Sequence, residues 1–306
     1  MKEYLVFRVI KDFAHLLFSE DERIDIGSCI VDKVCVDIND PRLSKIGELQ
    51  DKIRKKYDRL FFSSYEYVRK YSNKELQDAR FFRIIQTRFF EPSGEECGTV
   101  YDENTACPVC GAGAKMVTRL KLKKSSIPKV DTASTIAGNE EAVFSEQFVQ
   151  IVRANNLTGM DFEPIMSCGK DEKVLNYYQI RPKHYINISK KTIFGINPFD
   201  LSGECKSFTE VYRYPDGTEE RKFFPHTYYK CPNGDNLGLN ILSETFIKGD
   251  PILENLDFFE SRQTYGVRIG LLRQNRLFFC SNRMMKLIKE NHLKGFRFEV
   301  AHIVNE

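Results

Sequence analysis

"VFSEQFVQIVRANNLTGMDFEPI", residues 143–165, reads as a strand end, a capped helix, a turn and a second strand. Ser145 stands where a side-chain oxygen would satisfy the free N–H groups of a first helical turn. Phe148, Ile151 and Val152 recur at helical spacing and form an apolar stripe. Gly159 can enter positive φ without a Cβ penalty, so the chain can leave the helix and return as a strand that packs Phe162 on it.

The same chemistry returns at residues 279–301, "FCSNRMMKLIKENHLKGFRFEVA", with no gap in the alignment. Ser145 meets Ser281, Asn155 meets Asn291, Leu157 meets Leu293, Gly159 meets Gly295, and Phe162 and Glu163 meet Phe298 and Glu299. Six identities in 23 positions, all at capping, turning or packing places, favour a duplicated unit over two amphipathic helices alike by chance. The stripe of the second copy is Met284, Leu287 and Ile288. The expectation is an α+β fold with antiparallel sheets and a duplicated strand-helix-strand unit. Its helices begin near Ser145 and Ser281 and end before Gly159 and Gly295.

Upstream of the first copy lies "TACPVCGAGAK", residues 105–115, a zinc-ribbon-like knuckle in which Cys107 and Cys110 offer two thiolates from one tight turn. A second C-x-x-C is missing. The nearest segment is "KCPNGDNLG", residues 230–238, upstream of the second copy: Cys231 and Pro232 match Cys107 and Pro108, and Gly234 stands where Cys110 would be. Cys97, Cys205, His226 and Cys231 are the candidates to complete a site with Cys107 and Cys110. Of these, Cys205 and Cys231 are the preferred pair. Two readings stay open, a bound zinc ion and a tight turn stable without metal. A redox role is weaker, because no βαβ pattern surrounds the motif.

The rest of the chain reads as scaffold. "YLVFRVI" (4–10), "DIGSCIVDKVCVDI" (25–38), "SSYEYVRKYS" (63–72), "FFRIIQTRFF" (81–90) and "KMVTRLKLKK" (115–124) predict strands. Ile46, Leu49, Ile53 and Tyr57 predict a charged helix with one apolar stripe. Ser72 followed by Glu75 is a capping box. "YRYPDGTEERKFF" (212–224) predicts a hairpin around Pro215, Asp216 and Gly217. Composition breaks suggest three regions: 1–90, 91–168 with the knuckle and first unit, and 169–306 with the hairpin and second unit.

Lys plus Arg number 46 against 43 Asp plus Glu, a net charge of +3, which argues against a polyanionic partner. The 24 Phe and 14 Tyr with no Trp suit cross-strand aromatic pairing. The first 18 residues are interrupted by charge and carry no export signal, and no apolar run is long enough to span a membrane. The expected location is therefore the cytoplasm, with reduced thiols. No H-E-x-x-H, G-x-S-x-G, Walker loop or post-strand G-x-G-x-x-G is present, so the expectation is a non-enzyme.

The "CPxCGxGA" knuckle, its altered second copy and the closing pattern "strand, Ser, helix, N-x-L-x-G-[FY]-x-F-x-x-V" resemble the bacterial double-CxxCG motif proteins. The resemblance covers residues 97–306 and carries over Cys107, Cys110 and Gly111 to the first knuckle and Cys231 to the second. It implies a cytoplasmic immunity protein of a polymorphic-toxin system, binding one cognate protein toxin, with zinc as cofactor. The alternatives are a zinc-ribbon interaction or nucleic-acid-binding protein, or a defence enzyme of unrecognised type. Partner contacts are expected on strand faces at Tyr65 and Tyr67 and at Tyr212 and Tyr214, since tyrosine is enriched in binding hot spots.

Overall fold

In the computed structural model both capped helices begin directly after their serines, Glu146–Ala154 after Ser145 and Asn282–Glu290 after Ser281. The structure describes residues 1–169, 172–195, 198–199, 208–213, 218–224, 231, 234–238 and 240–306. Ser145 Oγ accepts from the Phe148 amide at 3.2 Å and Ser281 Oγ from the Met284 amide at 3.1 Å. Each bond satisfies one orphan N–H of a first turn. At the other end, the Asn155 and Asn291 side-chain amides donate to the Ile151 and Leu287 carbonyls. Asn156 and His292 then turn at φ 49° and 54°, and Gly159 and Gly295 leave at φ 96° and 98°. A Cβ at Gly159 would lie 2.0 Å from the Phe258 carbonyl oxygen, and one at Gly295 would lie 2.1 Å from that of Thr132. Only glycine fits either turn.

The buried stripe differs by one position from the spacing reading. Phe148, Val149 and Val152 are buried on one helix and Met284, Met285 and Ile288 on the other, while Ile151 and Leu287 are half-buried. Each helix packs on strands and touches the other helix, so its apolar face is broad enough to take positions i and i+1 together.

Two aspartates tie the helix starts to the turns. Asp131 accepts from Ser145 Oγ at 2.7 Å and, through its other oxygen, from the Lys294 amide at 2.7 Å. Asp257 accepts from Ser281 Oγ at 2.7 Å and from the Thr158 amide at 3.1 Å. Each carboxylate therefore anchors the cap of one segment and the pre-glycine turn of the other.

The strands around these helices form two six-stranded sheets. One runs in the order Phe89–Phe90, Thr132–Thr135, Gly138–Ser145, Val174–Pro182, Met160–Ser167, Lys121–Leu122. The other runs Tyr185–Ile186, Phe258–Ser261, Phe278–Ser281, Phe81–Gln86, Phe296–Val304, Thr245–Lys248. In both, the three central pairings are antiparallel and the pairing at each edge is parallel. The sheets are thus mixed rather than antiparallel throughout. Strand Phe81–Gln86 sits in the second sheet while Phe89–Phe90, directly after it, joins the first. Val174–Pro182 and Tyr185–Ile186 make the opposite exchange. Glu299 faces Arg83 across paired strands at 2.8 Å, and Glu163 meets Arg181 at 2.6 Å.

The segment 115–124 is not one strand. Lys115–Met116 pairs antiparallel with Tyr101–Asp102, and Lys121–Leu122 pairs parallel with Met166–Ser167, while between them single bonds, such as the Val117 amide to the Val100 carbonyl, replace a continuous ladder. Of the 212–224 reading, the paired strands Phe208–Arg213 and Glu219–Phe224 are present, and the turn at Pro215, Asp216 and Gly217 lies outside the described residues.

The chain divides into two compact units. One comprises Met1–Leu76 with Pro198 and Phe199, and the other comprises the remaining described residues from Gln77 onward. Residues 77–90, grouped with the N-terminal region on sequence, therefore lie in the second unit. The first unit is an antiparallel sheet in the order Ile24–Asp25, Val31–Asp37, Lys2–Ile10, Phe62–Lys70. It also holds the helix Arg42–Tyr57, which buries Ile46 and Ile53. The Ser72–Glu75 capping box forms, with Glu75 accepting from the Ser72 amide at 2.7 Å. Among the described residues no helix is long and apolar enough to cross a membrane.

Candidate metal centre

Cys107, Cys110, Cys231 and Asp235 converge so that one ligand atom from each lies within 4.8 Å of all the others. The knuckle positions its two cysteines through backbone bonds. The Cys107 amide donates to the Ala112 carbonyl at 2.7 Å, and the Gly111 amide donates back to Cys107 at 2.8 Å. Gly111 turns at φ 79°, where a Cβ would lie 2.1 Å from the Arg268 side chain. The second loop is built alike. The Cys231 amide donates to the Asp235 carbonyl at 2.7 Å, the Gly234 amide donates to Cys231 at 2.9 Å, and Gly234 turns at φ 89°. Cys110 and Cys231 are buried, with Leu237, Val267 and Ile269 packed around them.

The distances permit a test of fit. A tetrahedral ion with metal–sulfur bonds of about 2.3 Å and a metal–oxygen bond of about 2.0 Å has sulfur–sulfur edges of roughly 3.8 Å and sulfur–oxygen edges of roughly 3.5 Å. Cys110 Sγ lies 3.7 Å from Cys231 Sγ, and each lies 3.5 Å from Asp235 Oδ2. Cys110, Cys231 and Asp235 are thus spaced as three corners of a tetrahedron around a zinc-sized ion, and a Cys107 sulfur lies within 4.8 Å of each. The remaining carboxylate oxygen, Oδ1, accepts from the Thr264 hydroxyl at 3.0 Å, which fixes the orientation of Asp235. Burial, with Cys107, Cys231 and Asp235 adding to it, pushes the Cys110 thiol well above the ordinary cysteine range. A cation offsets that burial by favouring the thiolate. An ion held by all four residues would have no open position, the arrangement of a structural rather than a catalytic site.

The structure therefore brings together three of the four sequence-derived ligands and adds Asp235. Cys205, His226 and Tyr214 lie outside the described residues, as does the side chain of Tyr212. Cys97, also weighed as a ligand, sits instead beside Cys168. Burial and that neighbouring thiol push it up to about 11. Cys280 is a fully buried thiol in strand Phe278–Ser281. His302 stacks on Phe246 and contacts Glu244 at 3.1 Å.

Tyr67, expected on a partner face, is 6% exposed, and its hydroxyl donates to the Pro198 carbonyl at 3.1 Å within the first unit. Tyr65 is half-buried and packs edge-on against Tyr67 and Phe62.

Asp235 was legible only in part. A C-x-x-C spacing calls for a cysteine at position 234, where Gly234 stands. The second loop instead carries its ligand one residue later, as Cys-x-x-x-Asp. No protein-family model matches the chain, and no curated protein matches it significantly.

Proposed function

We propose that Cys107, Cys110, Cys231 and Asp235 hold one structural zinc ion, and that the chain so stapled is a non-enzymatic protein that binds and neutralises a protein toxin. The observation that carries the first part is the agreement of the 3.7 and 3.5 Å ligand separations with the edges of a zinc tetrahedron. A closed site leaves the ion no open position for a substrate, which favours a binding role over metal catalysis.

The two halves of the second unit are best read as copies of one ancestral element. The shared strand order, the paired serine caps, the reciprocal aspartates and the matched glycines support this. On this reading each copy contributes one knuckle, and the ion staples the copies together.

The toxin reading rests on the resemblance at Cys107, Cys110, Gly111 and Cys231. A protein partner also suits the first unit, where Ile24, Ile26 and Ile30 are 52%, 43% and 60% exposed on one short segment beginning at an edge strand. Large apolar side chains concentrated at a sheet edge are features of contact surfaces. The test is co-expression with the product of the neighbouring gene. Growth rescue with one-to-one co-purification is expected, and Ile30→Glu should abolish both without changing the melting temperature. Absence of rescue and of co-purification with the intact protein would remove the toxin reading.

A further inference from the structure

A cleft of about 450 Å³ opens in the second unit beside the knuckle, walled by residues 111–116. Its lining is polar and contains three acceptors in need of donors. Glu260, in strand Phe258–Ser261, is 8% exposed, and among the described residues no group donates a hydrogen bond to its carboxyl. Gln179 is 4% exposed, and its Oε1 is buried with no partner, while its amide nitrogen donates to the Glu140 carbonyl. Glu140 is half-buried, and its carboxyl likewise receives no hydrogen bond among the described residues. Buried acceptors without donors are costly, so such a group in a cavity points to a ligand that completes it.

Three arginines also line the cleft, and their partners decide the sign of the ligand. Arg181 is neutralised by Glu163 at 2.6 Å, and Arg273 is held by Glu95 and Glu103, both at 2.9 Å. Arg276 donates to the Ser261 carbonyl at 3.0 Å and to that of Arg262, and lies over the Tyr185 ring. Lys115 is on the exposed rim, where water screens it. With both ionised, the two glutamates face one arginine that no carboxylate pairs directly, so a single positive charge that binds as Glu260 releases its proton would balance the cleft.

We propose that this cleft is a binding site for an organic cation with several N–H donors, a guanidinium of the arginine type, held by Glu260 and Glu140 with Gln179 Oε1. A guanidinium presents five donors in a planar fork that matches carboxylates, which is what three unfilled acceptors require. A hard divalent ion fits less well, since it asks for six or more oxygen ligands and these residues supply three side chains. The volume is that of a small-ligand pocket and accommodates a side chain or a free amine. Burial also pushes the Glu260 carboxyl up to about 8, as expected of an acid awaiting a countercharge.

The proposal is independent of toxin binding and is tested by calorimetry on the zinc-loaded full chain. The probes are agmatine, the peptide acetyl-Gly-Arg-Gly-amide, tetramethylammonium and magnesium. One-to-one agmatine binding that falls at least tenfold in Glu260→Gln, with no response to tetramethylammonium, is the expected result. Should Glu260→Gln fail to fold, Glu140→Gln gives the same reading with a smaller loss. Binding of the peptide as well as agmatine supports the site and assigns it an arginine on a protein surface, whereas agmatine alone assigns it a free small molecule. No binding of either, unchanged affinity in the folded variants, or magnesium binding in place of agmatine overturns the proposal.

Discussion

Replacing Glu260 by glutamine should make the protein more resistant to urea, and increasingly so as the pH rises. The ordinary glutamate value is 4.5, and burial in strand Phe258–Ser261 raises that of Glu260 to about 8, with Arg276 and Arg181 opposing the shift and Glu140 adding to it. Below pH 4.5 the group is protonated in both the folded and the unfolded chain, so it contributes no pH dependence. Between 4.5 and 8 the unfolded chain releases the proton while the folded chain retains it. Stability therefore falls by up to about 1.4 kcal/mol per pH unit across this window. Above pH 8 the carboxyl is ionised in both states, and the loss stays constant. Integrated from pH 5 to pH 8, the loss is about 3 kcal/mol. Glutamine keeps the shape and carries no proton, so the variant should lack this decline. Urea titrations of zinc-loaded wild type and Glu260→Gln at pH 5, 6, 7 and 8 measure the difference. A gap that does not widen with pH would refute the claim that Glu260 is a desolvated acid without a countercharge.

Three further outcomes follow from the capped segments. Gly295→Ala should destabilise the second unit by about 2–4 kcal/mol in urea unfolding, because a Cβ at φ 98° meets the Thr132 carbonyl oxygen at 2.1 Å, and Gly159→Ala should behave alike. Ser281→Ala should cost about 1–2 kcal/mol, since the hydroxyl both caps the helix and donates to Asp257, and amide exchange should speed up in the first turn of Asn282–Glu290. Asp235→Ala should lower zinc affinity and melting temperature together, whereas Cys35→Ala, at an exposed thiol remote in sequence from the knuckles, should change neither.

What the sequence revealed and what it withheld divides along the range of the forces involved. Ser145 and Ser281 act on amides three residues away, and Gly159 and Gly295 act through their own φ, so both helices were readable from local chemistry. The Ser72–Glu75 box was readable for the same reason. Cys107 and Cys110 were legible as a pair because the turn between them is short. Asp235 was not, because its carboxylate stands four residues after Cys231 where the Cys110 thiol stands three after Cys107, and carboxylates are common enough to conceal one candidate ligand among them. The exchange of strands between the two sheets depends on contacts such as Arg83 with Glu299, more than 200 positions apart, and no local pattern encodes it. Tyr67 alternates like an exposed strand residue, yet Pro198 and Phe199 cover that face of the first unit. Glu260 looks like any strand glutamate until the folded cleft removes its water.

The most direct test of the account is X-ray absorption at the zinc edge on protein purified without added metal or chelator. One zinc per chain is predicted, with a first shell of three sulfurs at about 2.3 Å and one oxygen at about 2.0 Å, the sulfur count dropping to two in Cys110→Ser. Stoichiometric absence of zinc from stably folded protein, or a first shell containing imidazole or four sulfurs, would contradict the site formed by Cys107, Cys110, Cys231 and Asp235.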